Sequence, residues 1–267
     1  MPDLPAALAL HASAAAVAAA GVVLSACCGR VALAYRRRID AGEAADARSM
    51  ALSLGEALSP AGRMGGGVEA DRARMAAKGR PGALPFSPAY GFSMSAALCM
   101  ATGFFLLFVR HGPGAYFLAA ALAGVLLLLA ARIDAQTGLL PDALTQPLLW
   151  LGLGVAWAGE GPALHDALAG VMLGYGFLWC LLGAFKWLSG RDAMGHGDLK
   201  LLAALGAWMG WQPLPWALLL ACMAGMAFAM WRQRSLRPRG AYPFGPFLAV
   251  GGAGVFLHAT AVHSWFC

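Results

Sequence analysis

Ala115-Tyr116-Phe117-Leu118-Ala119-Ala120-Ala121-Leu122-Ala123-Gly124-Val125-Leu126-Leu127-Leu128-Leu129-Ala130-Ala131-Arg132-Ile133-Asp134 carries no charge before Arg132. A helix needs about 20 apolar residues to cross the hydrocarbon core of a bilayer, and the apolar segment 114–131 has about that length. Working outward from it, comparable apolar segments lie at 8–33, 92–109, 143–158, 164–187, 199–211, 214–231 and 244–264. The segments at 143–158 and 199–211 are short for a span, so their ends are soft. The expectation is an all-α protein: a polytopic membrane helical bundle of about eight transmembrane helices. Composition agrees, with 60% hydrophobic and 12% charged residues, where a soluble domain carries about 25% charged residues.

The net charge of +6 does not call for a nucleic-acid partner. In a membrane protein it reflects cytoplasmic loops rich in Lys and Arg, and the partner is the lipid bilayer. No basic n-region precedes the first apolar run, and the first positive charges follow it at Arg30, Arg36, Arg37 and Arg38. That order predicts a retained first helix with its N-terminus outside. The cytoplasmic segments are then 34–91, 132–142, 188–198 and 232–243. Of the 19 Lys and Arg residues, all but Arg110 lie at or near that face. Both termini are expected on the periplasmic side.

Two regions follow. Residues 1–91 comprise the first helix and a basic loop, and residues 92–267 form the membrane-embedded remainder. The loop is rich in Ala, Gly and Arg, as in Arg63-Met64-Gly65-Gly66-Gly67, and buries too little apolar surface to offset chain entropy. It is expected to be mobile, with one short helix near 41–57. The six cysteines, at 27, 28, 99, 180, 222 and 267, form no CxxC pair, so the usual zinc spacing is missing. His258 and His263 have no carboxylate nearby in sequence, and no metal site is expected.

The candidates for chemistry are acids at the edges of spans, because an ionisable residue there marks a functional site by default. Asp134 ends the third helix, and Asp198 opens the sixth in Gly195-His196-Gly197-Asp198-Leu199-Lys200. The topology sets both at the cytoplasmic boundary, where they can face each other. Two close carboxylates share a proton; one can activate water while the other protonates a leaving amine. Gly195 and Gly197 are expected to break the chain, adopt unusual backbone angles and admit a substrate strand or another helix closely. Local accounts remain open beside these. Asp198 could be a helix N-cap and Asp134 a loop charge. Pro141-Asp142 reads as the first turn of the fourth helix, with the acid capping it. Lys200 reads as a cytoplasmic charge anchor, and His196 as an exposed loop residue.

Longer strings go further. Ile133-Asp134, then Leu139-Leu140-Pro141-Asp142-Ala143-Leu144-Thr145-Gln146-Pro147, resembles the signature of bacterial prepilin peptidases, the type IV leader peptidases of the GxGD membrane aspartic peptidase class. So does Gly195-His196-Gly197-Asp198-Leu199-Lys200-Leu201-Leu202-Ala203, and Pro243-Phe244-Gly245-Pro246-Phe247 is similar to the family's lead-in to its last helix. The three blocks cover about residues 130–250. The resemblance implies an eight-helix fold in the bacterial inner membrane and a non-pepsin aspartic endopeptidase. Such an enzyme removes the basic leader of type IV prepilins or type II secretion pseudopilins at the cytoplasmic face. Asp134 and Asp198 match the family's catalytic aspartates, and Asp142 matches a motif acid not usually given that role. No cofactor is implied for the peptidase.

The N-terminal third departs from the pattern of members that also methylate the new N-terminus. Gly21, Leu24 and Arg30 keep the spacing of their GxxLN-type segment, but Ser25 stands where Asn is expected. No cysteine falls between Cys28 and Cys99. S-adenosylmethionine is implied only if methylation is retained. From another class, a proton-coupled transporter or channel would also use intramembrane acids. It predicts acids near the midplane and two related halves, and the sequence shows neither.

Overall fold

The computed structural model describes residues 4–58, 94–190, 195–234 and 242–262. The glycine-rich stretch around Arg63, the basic residues Arg237 and Arg239, and His263 lie outside them. The described residues form nine helices and no strand: α1 Leu4–Asp40, α2 Ala47–Leu58, α3 Met94–His111, α4 Ala115–Thr137, α5 Asp142–Trp157, α6 Leu164–Ser189, α7 His196–Met209, α8 Leu214–Gln233 and α9 Gly245–Val262. Every apolar segment read from the sequence coincides with one of them, and α2 is the short helix expected in the basic loop. Four are long and apolar enough to cross a membrane: α1 over Ala12–Asp40, α4, α6 over Leu164–Leu188, and α8. Shorter apolar helices run over Ala96–His111 in α3 and Gly245–Leu257 in α9. The described residues are all-helical, with the apolar helices of a multi-pass membrane protein.

Local chemistry sets the helix ends. Gly138 and Gly190 close α4 and α6 with φ of 67° in each case, a left-handed turn that glycine adopts without penalty. Asp46 caps α2, its Oδ1 accepting the Ser49 N–H at 2.9 Å. Arg38 then ties α1 to this region, 3.3 Å from both Glu43 and Glu56.

The shortest span-like helix, α7, sits at the centre. Its residues from Leu201 to Met209 are all buried, as are Asp198 and Leu199. At 14 residues it rises only about 21 Å, and α5, α6 and α9 sheathe it. Glycines allow that close sheathing. A Cβ on Gly206 of α7 would run into the backbone of Gly170 on α6, and one on Gly174 would lie 2.9 Å from the Leu202 carbonyl oxygen. Small residues four apart let membrane helices approach in this way. On the other flank, Trp208 donates its indole N–H to the Leu148 carbonyl of α5 at 2.9 Å. These contacts set the rotation of α7, and with it the direction of Asp198.

Candidate active site

Asp134 lies in the last turn of α4, ahead of the Gly138 cap, and is 4% exposed. Its Oδ2 accepts the backbone N–H of Gly245, the first residue of α9, at 2.9 Å. Pro243 and Phe244 bring the chain to that point, and Pro246 suits the opening turn because it needs no amide partner there. Gly245 has a steric role as well. A Cβ at this position would lie 2.7 Å from Asp134 Oδ2 and 2.9 Å from Leu140 Cδ1.

Asp198 sits in the first turn of α7 and is 6% exposed. The N-cap position belongs to Gly195, which has no side-chain capping bond, so Asp198 is not the cap that a local reading allows. Among the described residues its Oδ1 is buried with no hydrogen-bond partner. A buried acceptor without a donor is costly, and protonation relieves that cost. The Asp134 carboxyl, 64 positions away in the chain, is close enough to act on that of Asp198 electrostatically.

Leu140 is the spacer of the site. It touches Gly245 through Cδ1, and a Cβ on Gly197 would lie 2.6 Å from Leu140 Cβ. Gly197 thus lies close to Leu140 of the segment between α4 and α5, rather than to the helix or substrate strand expected there. The expected unusual backbone angles do not occur. Neither Gly195 nor Gly197 is among the residues of positive φ, and Gly195 has φ of −73° with open space around its Cβ position. Among the described residues, none lies close enough to demand glycine at 195.

Two further expectations change. Pro141 occupies the N-cap position of α5 rather than the first helical one. Asp142 follows it, but its carboxylate does not serve as a cap: both oxygens meet Lys200 Nζ, at 2.6 and 2.7 Å. Lys200 is therefore one half of an ion pair with Asp142 rather than a bare charge anchor. Local rules explained each residue separately because the partner is 58 positions away. His196 is exposed as expected but is the first residue of α7 rather than a loop residue. The contribution of Gly245 escaped the sequence reading. A backbone donor leaves no side-chain signal, and only the Pro-Phe-Gly-Pro block pointed to that turn.

On the opposite side of the same α4 turn, Arg132 is 8% exposed and its Nη2 lies 3.3 Å from Ser25 Oγ of α1. No cluster of three metal-ligating side chains occurs among the described residues.

Residues 121–230 match the type IV leader peptidase family. The chain is 48% identical over 179 residues to a prepilin leader peptidase/N-methyltransferase of Burkholderia pseudomallei (strain K96243), covering 66% of this chain and 57% of that protein. Proteins of the same description from Dickeya chrysanthemi and Aeromonas hydrophila are 48% and 45% identical. Those alignments cover 53% and 58% of this chain, and 50% and 54% of the relatives. The chain thus spans little more than half the length of the curated relatives it matches. No solved structure is a significant match. The matched segment contains Asp134, Asp142 and the whole stretch from Gly195 to Lys200, and over it this chain is similar to the type IV leader peptidase family.

Proposed function

We propose that the protein is a membrane aspartic endopeptidase that removes the basic leader from type IV prepilins or type II secretion pseudopilins, with Asp134 and Asp198 as its catalytic pair. The observation that carries this reading is the electrostatic proximity of two buried carboxyls, one with a fixed donor and one with an oxygen that has no partner among the described residues. The relatives' shared description as prepilin leader peptidases supports the substrate class.

The geometry suggests a division of labour. Asp134, oriented by the Gly245 N–H, takes a proton from water as the water oxygen attacks the scissile carbonyl carbon. Asp198, which gains most from carrying the shared proton, donates it to the leaving nitrogen as the C–N bond breaks. The proton on Asp134 then restores the shared state. Gly195, with open space at its Cβ position, leaves room for an extended substrate backbone. Gly197 serves the internal approach to Leu140. Pro141 turns the chain into α5.

In the same reading all eight apolar helices span the bacterial inner membrane, both termini are periplasmic and the carboxylates face the cytoplasm. Basic residues gathered between the apolar segments support that orientation. Residues 92–267 form the peptidase unit. Residues 1–91 are a reduced counterpart of a methyltransferase region, and S-adenosylmethionine enters only if that activity persists. A proton-coupled transporter fits less well, because both carboxylates occupy helix-terminal turns at one end of the bundle.

The test is leader removal from a prepilin reporter co-expressed with the full chain. The wild type cleaves, while Asp134→Asn and Asp198→Asn each lose activity by roughly a thousandfold or more and still insert in the membrane. A unit of two interdependent groups loses nearly everything with either one. Full processing by either variant overturns the assignment.

A further inference from the structure

We propose that the Asp142–Lys200 ion pair is a positioning device that holds the first turn of α7 so that Asp198 stays against Asp134; this rests on the peptidase reading above. Three observations carry it. The N-terminus of α7 has no side-chain cap at Gly195, so among the described residues only a 3.3 Å backbone bond from the Asp198 N–H to the Gly195 carbonyl ties the turn locally. Gly197 and Lys200 are three apart and share one face of the helix. Both meet the same connecting segment, Gly197 against Leu140 and Lys200 against Asp142. Asp198, next to Gly197, is turned instead into the buried interior.

The segment Leu140-Pro141-Asp142 therefore lies across the opening turn of α7 and is gripped at two points. Leu140 also touches the first residue of α9, whose N–H holds Asp134. One short segment consequently registers both carboxyls. The pair is partly solvent-exposed, with 32% and 61% of the Lys200 and Asp142 side chains accessible. Exposed pairs add little to global stability. The role fits local geometry instead, where misplacement of a reacting group by about 1 Å costs up to about a hundredfold in rate. Lys200 and Asp142 do not touch the reacting atoms in this scheme. They act through Asp198.

Steady-state kinetics of the purified full-length protein in detergent, with a prepilin reporter as substrate, test the proposal. Lys200→Met and Asp142→Asn are each expected to lower kcat about tenfold and leave KM within about twofold. Lys200→Arg keeps most of kcat, and the exchanged pair Asp142→Lys with Lys200→Asp recovers part of the single-variant loss. Size-exclusion chromatography reports the folded fraction in every case. Unchanged kcat in both single variants overturns the positioning role. So does a loss that tracks the folded fraction, or one that neither Lys200→Arg nor the exchanged pair relieves. Failure of the wild type to cleave removes the peptidase reading itself, and the proposal with it.

Discussion

Arg132 and Asp134 occupy the same turn of α4, are buried to nearly the same degree, and point to different neighbours. Arg132 reaches α1, where the Ser25 hydroxyl lies 3.3 Å from its guanidinium. Asp134 accepts from the first amide of α9 and faces Asp198 of α7, whose inner oxygen has no donor among the described residues. Burial of charge is common to both, so burial alone does not mark the reactive side. What separates them is the company: a neutral hydroxyl acceptor on one side, a second acid on the other. The first arrangement can satisfy itself by hydrogen bonding, whereas the second is relieved only by a proton or a substrate.

The comparison breaks most readily at Gly245. Gly245→Val adds atoms where a Cβ alone would lie 2.7 Å from Asp134 Oδ2, so Asp134 must turn away from its donor or α9 must shift. Cleavage should fall by about a hundredfold while both aspartates remain. Gly197→Val should act in the same direction through Leu140, which a Cβ at 197 would approach to 2.6 Å. Normal processing of the reporter by both variants removes the packed-junction account of the site.

A smaller effect comes from pH. The proposed scheme needs one proton shared by the two carboxyls, so cleavage should fall at alkaline pH as that proton leaves. Asp198→Asn, inactive but unable to ionise, should melt higher than the wild type at pH 8. A wild type that cleaves equally at pH 6 and pH 9 contradicts the shared-proton scheme.

The smallest catalytic effect is expected on the other side of α4. Ser25→Ala removes a buried hydroxyl beside Arg132 and should lower stability by about 1–3 kcal/mol, read as a lower melting temperature in detergent. The kcat of the protein that remains folded should stay within about twofold of wild type. A tenfold loss of kcat without a change in melting would make the α1 side part of the catalytic machinery and erase the contrast drawn above.

Much of this arrangement was legible one residue at a time. The run ending at Asp134 and its seven counterparts announced helices through length and hydropathy. Asp134 and Asp198 stood out because acids at the ends of apolar runs are scarce. The glycines were read as close-approach positions; at 197 the neighbour is the loop residue Leu140, and at 195 no described residue is near. Asp142 and Lys200 were each given a sufficient local explanation, and both explanations missed the ion pair. Gly245 was quoted within a motif, but its amide carries no residue-type signal to distinguish a hydrogen-bond donor from a turn.

Transfer of a side chain between water and lipid depends mainly on that side chain, so hydropathy along the chain already specified the helical class, the placement of the apolar helices and the few acids worth weighing. Which acids meet depends on how each helix is rotated, and no short stretch encodes that angle. The seam between Gly170 and Gly206, the Trp208 bond to Leu148 and the wedge of Leu140 between Gly197 and Gly245 jointly set it. They turn Asp198 toward Asp134 and Lys200 toward Asp142, although the two residues are only two positions apart. Packing between distant segments made that choice, because neighbouring positions on a helix point about 100° apart and only a fixed rotation assigns each its partner.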